Sequence, residues 1–382
     1  MASEFYQYNG QIYEYKNTEK QLKEKKASET KIILLTLTVV ALAIICVSLN
    51  LIINKTAKEN SVIQGDFVYN SVADDQVQQT EPITGAVEDT GDSVPTLNHP
   101  PVLNLLTGSS NKSISGIDSR YAIIINRNTG EILASKNANV RMFPASTTKI
   151  MAILVAYEYM IDNDIDIMTT YVTMTKEIAD YTFAEGASNA GFSVGEEVRL
   201  YDVFYGATLP SGADAVLMLA HFCYGSESAF VDMMNAKVRD LGLGETNFVT
   251  STGLHHPDHY TTVAEMSVIT DYACKYDFLR TLLTATHHTY APTNTSAQRK
   301  TSSTLYNWRT AYSTSPEKTL ISGAYEFGGK SGYTPEAKYC LATFITTDSG
   351  ESYIVVTGYA STRTATVKDY LTIYNGYIPS AQ

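Results

Sequence analysis

Ser146-Thr147-Thr148-Lys149 sets a hydroxyl and an amine three residues apart. A serine hydroxyl is a poor nucleophile until a base takes its proton. On a helix, residues i and i+3 share a face, so Lys149 can reach the oxygen of Ser146. The amine acts as a base only when neutral, and partial burial and a second nearby cation both favour that state. Spacing alone decides little, because Ser28/Lys31, Ser109/Lys112 and Ser315/Lys318 repeat it in this chain. A helix-capping serine followed by a surface lysine has the same spelling. Setting separates the pairs. Only Ser146/Lys149 follows a strand-hairpin pattern and precedes Ile150, Ile153, Leu154 and Tyr157 at helical spacing, so it is expected to open an amphipathic helix.

Two other stretches bring compatible groups. Leu209-Pro210-Ser211-Gly212-Ala213-Asp214 interrupts a helical run that resumes at Ala215. Ser211 then sits at a tight inter-helix turn, where its hydroxyl could relay a proton to a leaving amine. An ordinary cap for the second helix, with Asp214 favouring the same dipole, reads equally well. Gly328-Gly329-Lys330-Ser331-Gly332-Tyr333-Thr334 contains the chain's only K-[ST]-G. Glycines let a substrate backbone lie close against a strand, and Lys330 supplies a fixed cation. A plain glycine-rich loop is the alternative.

In that order, S-x-x-K, S-x-N and K-[ST]-G are the signature of the penicillin-binding serine acyl transferases. The flanking sequence resembles their D-alanyl-D-alanine carboxypeptidase branch. Arg141 to Lys149, Leu209 to Gly212, Thr252-Gly253-Leu254, His259 to Thr262 and Gly329 to Thr334 carry the likeness, within a span from about Tyr121 to Ile378. The resemblance implies that Ser146 attacks the carbonyl of the penultimate D-alanine of a peptidoglycan stem peptide, forming an acyl-enzyme. It implies Lys149 as base and Ser211 as proton relay to the departing D-alanine. Lys330 and Ser331 would hold the terminal carboxylate, and Gly332, Tyr333 and Thr334 would line the substrate strand. The backbone N–H groups of Ser146 and Tyr333 would make the oxyanion hole. β-Lactams would acylate the same serine, and neither cofactor nor metal is called for. Two positions depart from the pattern. Ala213 stands where the family has Asn, and an alanine can neither bond the substrate amide nor steady Lys149. Ser331 stands where Thr is frequent, and keeps the hydroxyl.

These residues need a scaffold. Tyr121 to Ile125 and Glu131 to Ala134 flank Asn126-Arg127-Asn128-Thr129-Gly130 as a hairpin, and Tyr339 to Thr347 and Ser352 to Gly358 flank Asp348-Ser349-Gly350 as another. Helical patterning fills the middle, through Val203 to Cys223 and Met266 to Tyr276. Strands, then helices, then strands imply an α+β domain, an antiparallel sheet covered by helices with a helical subdomain, of the β-lactamase/transpeptidase-like kind. That domain is expected over 114–382.

Ahead of it, Ile32 to Ile53 is apolar and uncharged, long enough to cross a bilayer as one transmembrane helix. Lys20, Lys23, Lys25, Lys26 and Lys31 precede it, which keeps residues 1–31 as a cytoplasmic tail and the catalytic domain extracytoplasmic. A cleaved signal peptide would have a shorter apolar region, and no small-x-small site follows this run before Asn54. Residues 54–113, rich in Asp, Gln, Thr, Ser, Gly and Pro, read as a disordered tether. The net charge of -12 argues against nucleic acid as a partner.

Cys46, Cys223, Cys274 and Cys340 lack metal or redox spacing, and the last three read as buried structural thiols. His255-His256-Pro257-Asp258-His259 and His287-His288 lack H-E-x-x-H spacing; His221, His255 and His288 are assigned to structure, and Trp308 to no role. Arg363, placed near the end of the last strand, is a second carboxylate anchor or a surface arginine. Two rival functions stay open. A class A-like β-lactamase would need a glutamate-guided water, and no E-x-x-L-N lies between Ser211 and Lys330. A weakly active wall-peptide or penicillin sensor would explain Ala213.

Overall fold

A computed structural model describes residues 5–8, 11–14, 99–100, 106, 112–313, 315 and 321–378. The chain divides into two units, Met1–Thr90 and Gly91–Gln382. The first contains β1 (Phe5–Tyr8) and β2 (Gln11–Glu14), paired antiparallel with Phe5 opposite Glu14, a hairpin that the sequence reading does not anticipate. The anchor expected at 32–53 and Cys46 lie outside the described residues, as does most of the tether expected over 54–113. No helix among the described residues is long and apolar enough to cross a membrane.

In the second unit, β3 (Tyr121–Asn126) and β4 (Ile132–Lys136) lead into a one-turn 3-10 helix, Ala145–Thr148, and then α1 (Lys149–Asp162). The middle of the chain comprises β5 (Tyr171–Thr173), α2 (Lys176–Ala184), β6 (Glu197–Arg199), α3 (Leu200–Thr208), α4 (Ala213–Tyr224), α5 (Glu227–Asp240), α6 (Val263–Ala273) and α7 (Asp277–Thr284). A small hairpin, β7 (His287–Tyr290) and β8 (Arg299–Ser302), and α8 (Thr304–Tyr312) follow. β9 (Ala324–Thr334), β10 (Lys338–Thr347), β11 (Ser352–Ala360) and α9 (Arg363–Tyr377) complete the unit. The α+β reading and both main hairpins are therefore present. Thr175, Ser226, Thr262, Ser303 and Thr362 each accept a backbone N–H at the start of a helix, which fixes where α2, α5, α6, α8 and α9 begin.

Five strands form an antiparallel sheet in the order β4-β3-β11-β10-β9. Alternate residues of these strands serve two cores. Ile123, Ile125, Ala342, Phe344, Ile354 and Val356 face the larger, with α1, α3, α4 and α6. Ala122, Ile124, Leu341, Ile345, Tyr353 and Val355 face the other, with α8 and α9. Burial on both faces is why Tyr121 to Ile125 reads as a continuous apolar run instead of an alternation.

One expectation is corrected. α1 is not amphipathic; Lys149 to Ala156, Glu158 and Met160 are all buried, because α3, α4, α5 and α6 all pack against the helix. Its buried Glu158 is matched by Lys237 Nζ at 2.7 Å and the Tyr276 hydroxyl at 2.8 Å.

Candidate active site

The nucleophile candidate sits in the 3-10 turn between β4 and α1. Ala145, just before it, has φ 48°, a backbone conformation that β-carbon-bearing residues adopt at a cost. Two close approaches over-determine that turn. A Cβ on Gly253 (φ 79°) would collide with the Ala145 carbonyl. A Cβ on Gly332 would stand 2.8 Å from Ser146 N and 3.0 Å from Pro144 O. The glycine of the third motif therefore has a steric purpose: it lets β9 lie against the backbone of the nucleophile turn.

Lys149 is 2% exposed. Its Nζ lies 3.1 Å from Ser146 Oγ and donates to the Thr252 carbonyl at 2.6 Å. Burial pulls its pKa down to about 7, against the opposing pull of the Asp214 and Glu227 carboxylates. The expected help from a second cation is not what lowers it. That influence is felt at Lys330, whose amine is held well below its usual range by burial first and by Lys149 second.

Lys330, also 2% exposed, donates to Ser211 Oγ and to the Ser331 carbonyl, both at 2.8 Å. Ser211, at φ 64°, occupies the turn between α3 and α4 as the sequence suggests. The structure thus joins Ser146 with Lys149 and Ser211 with Lys330. A cleft of about 280 Å³ opens over the first pair, lined by Ser146, Lys149, Ala213, Thr252, Tyr333 and Thr334 among others. Ser211, Lys330 and Ser331 are buried beside it and are not among its lining residues. Lys330 to Thr334 lie on the edge strand β9 and not in a loop. Tyr333, 48% exposed, leans on Tyr339 with ring centroids 4.5 Å apart. The Thr334 hydroxyl accepts from Ala337 N at 3.1 Å, so it also shapes the β9–β10 turn.

Ala213 is buried at the first position of α4, and its N–H donates to the Ser188 carbonyl at 2.7 Å. Ser188 Oγ donates to the Ser211 carbonyl. The Asp214 carboxylate accepts from Ala190 N at 2.8 and 3.0 Å, which pins the 188–192 loop to the start of α4. It does not replace the missing carboxamide.

Sequence reasoning missed the supporting strap between α5 and α6. Thr252-Gly253-Leu254 and His259 were visible in it, but without roles. Val249 N and Thr250 N both point at His259 Nδ1, at 3.0 and 3.3 Å, so Nδ1 is the bare acceptor. Nε2 therefore carries the hydrogen and donates to Thr148 Oγ1 at 2.8 Å, which ties the strap to the nucleophile turn. Burial drives this imidazole's pKa down to about 3.

Other residues that the sequence singles out are not among the lining residues of the cleft. His255 packs edge-on against Phe143, and His288 stacks on Tyr205 while bonding Asp202. Among the described residues no group of three or more His, Cys, Asp or Glu side chains could hold a metal ion. Cys223, Cys274 and Cys340 are buried free thiols. Trp308 is a buried core residue set edge-on to Tyr339. Arg363 is exposed in the first turn of α9, beyond the strand end at Ala360, and is not among the lining residues of the cleft.

The family described as D-alanyl-D-alanine carboxypeptidase, peptidase S11, matches residues 108–361. The D-alanyl-D-alanine carboxypeptidase DacF of Bacillus subtilis is 33% identical over 224 residues, covering 59% of this chain and 53% of the relative. The chain thus spans about half the length of that relative. A D-alanyl-D-alanine carboxypeptidase of Streptomyces sp. (strain K15) is 33% identical over 236 residues, covering 60% of this chain and 77% of its own. The crystal structure of the Streptomyces K15 DD-transpeptidase superposes with a TM-score of 0.60 at 29% identity, over 68% of this chain and 97% of that one.

Proposed function

Since the chain belongs to the D-alanyl-D-alanine carboxypeptidase family, peptidase S11, we propose that it removes the terminal D-alanine from peptidoglycan stem pentapeptides through an acyl-enzyme on Ser146. The observation that carries this reading is the buried Lys149 amine 3.1 Å from Ser146 Oγ, with a pKa brought down to about 7. Such an amine is substantially neutral at physiological pH and can take the serine's proton.

Ser146 Oγ then attacks the carbonyl of the penultimate D-alanine. The backbone N–H groups of Ser146 and Tyr333 receive the oxyanion, and one such donor is typically worth about 10²–10³ in rate. The proton travels by way of Ser211, bonded to Lys330, to the departing D-alanine. Lys330 and Ser331 present positive charge and a hydroxyl to the terminal carboxylate, and the arriving anion raises the pKa of Lys330 and favours its charged form. Water releases the shortened peptide. β-Lactams enter as acylating mimics of the same substrate.

The catalytic domain acts outside the cell, held by residues 32–53 as a single transmembrane helix with its N-terminus in the cytoplasm. The uncharged apolar run and the lysines ahead of it support this placement. Ala213 favours one second reading, a weakly active sensor of wall peptides or penicillins.

Fluorescent penicillin tests these points together. The parent chain is expected to label covalently in the membrane fraction, Ser146→Ala not at all, and a synthetic pentapeptide to lose D-alanine. An unlabelled parent overturns the acyl-enzyme. Label without D-alanine release supports the sensor, and labelled protein in the soluble fraction removes the anchor alone.

A further inference from the structure

Glu227 opens α5, and its carboxylate turns away from its own helix toward the strap. Oε1 accepts from Ser251 N at 2.9 Å and from Ser251 Oγ at 2.7 Å. The next residue is Thr252, whose carbonyl receives Lys149 Nζ at 2.6 Å. A neutral amine acting as base must aim its lone pair at the serine while its hydrogens are held elsewhere. In the family pattern the carboxamide at position 213 steadies that amine, and here the position is Ala213. The Thr252 carbonyl is the partner left to orient Lys149, apart from Ser146 itself.

We propose that Glu227 is a positioning residue for Lys149: its carboxylate clamps Ser251, fixes the Thr252 carbonyl, and so aims the amine at Ser146 Oγ. This inference rests on the acyl-enzyme reading given above. Gly253 under Ala145 and His259 on Thr148 also hold the strap, but Glu227 alone among these anchors brings a charge. Facing the amine are Asp214 from α4, Glu227 from α5, Lys330 from β9 and His259 from the strap. The carboxylates of the other helices packed on α1 are engaged elsewhere, Asp202 of α3 with Arg199 and His288, and Asp271 of α6 with Arg127. Asp214 is turned to the Ala190 amide. Glu227 thus acts on Lys149 by orientation through Thr252 and by charge through space, opposing the effect of burial.

Glu227→Gln separates the two effects, because a carboxamide oxygen still accepts from Ser251 but carries no charge. Acylation by penicillin is followed as rate constant and pre-acylation dissociation constant, from about pH 5 to pH 9. Removing the negative charge makes the amine easier to deprotonate. The acid limb of Glu227→Gln is therefore expected at lower pH, with its plateau within about twofold of the parent. Glu227→Ala is expected to lose about tenfold or more in the acylation rate constant with little change in the dissociation constant. An unshifted limb for Glu227→Gln, or a parental plateau for Glu227→Ala, overturns the inference. A parent that takes no penicillin overturns the acyl-enzyme reading beneath it, whereas a normally labelling parent with indistinguishable variants removes Glu227 alone.

Discussion

Ala213 places a methyl group in the cleft wall where the family pattern has a carboxamide, and Lys149 keeps one orienting carbonyl instead of two partners. Ala213→Asn is therefore expected to raise the rate of acylation by penicillin, by about tenfold if one hydrogen bond that orients the neutral amine is regained. Stopped-flow quenching with a fluorescent penicillin measures it, and an unchanged or lower rate would show that the strap already compensates. At this scale the sequence was legible wherever chemistry resides in a side chain of distinctive type. Ser146, Lys149, Ser211 and Lys330 declare themselves through hydroxyls and amines in ordered motifs. Thr252 does not, because its contribution is a main-chain carbonyl that any residue possesses. Glu227 was equally hidden, since its partner Ser251 lies 24 positions away. For Lys149 the sequence names burial, which is the main cause of its low pKa, and a second cation, which is not; how deeply each amine is buried depends on packing, and no local spacing reports it.

Among the elements, the strap from α5 to α6 depends on the protonation state of one residue. His259 accepts two backbone N–H groups at Nδ1, so a proton there would face both donors and break the tie to Val249 and Thr250. Its folded pKa, near 3, lies below the ordinary value of 6.5. The unfolded chain therefore binds the proton first as pH falls, and the stabilisation present above about pH 6.5 is lost progressively toward pH 3. One proton corresponds to about 1.4 kcal/mol per pH unit, or roughly 3–5 °C of melting temperature for a domain of this size. His259→Asn is expected to melt lower than the parent at pH 8 and to lose less between pH 6.5 and pH 5. Calorimetry at matched ionic strength checks it, and parallel slopes would assign the acid sensitivity to other groups. Periodicity revealed the two main hairpins and the helices after Ser146, over Val203 to Cys223 and over Met266 to Tyr276, because their patterns are local; it did not mark β7, β8, α2, α7, α8 or α9. It misread α1 as amphipathic because a central helix buries every side. It left Lys330 between strand and loop because Gly328, Gly329 and Gly332 weaken any strand signal, although pairing with β10 settles the conformation.

Across the whole second unit, the sheet separates two cores and the cleft lies where the edge strand β9 meets the helical lobe. The coarse order of strands, helices and strands was readable, whereas the four-residue strands of the N-terminal hairpin are too short to show a period. Bringing α1 and β9 together buries two amines, and the charge of Lys149 helps hold the Lys330 pKa down. Charging Lys149 as pH falls through about 7 sets a cation beside Lys330 in a desolvated place, a tension built into the free protein. On the acyl-enzyme reading, an acylating penicillin would carry a carboxylate into that field, and its ester on the turn at Ser146 would leave the rest of the ligand against β9. Binding confined to the folded state stabilises it, and here the ligand also supplies the missing counter-charge. Penicillin is therefore expected to raise the melting temperature by about 5 °C at pH 7, and by more at pH 6 than at pH 8. Ser146→Ala should give no lasting shift after unbound drug is removed. A shift of equal size at every pH would mean that closure of the cleft, and not relief of the paired amines, is what the ligand contributes.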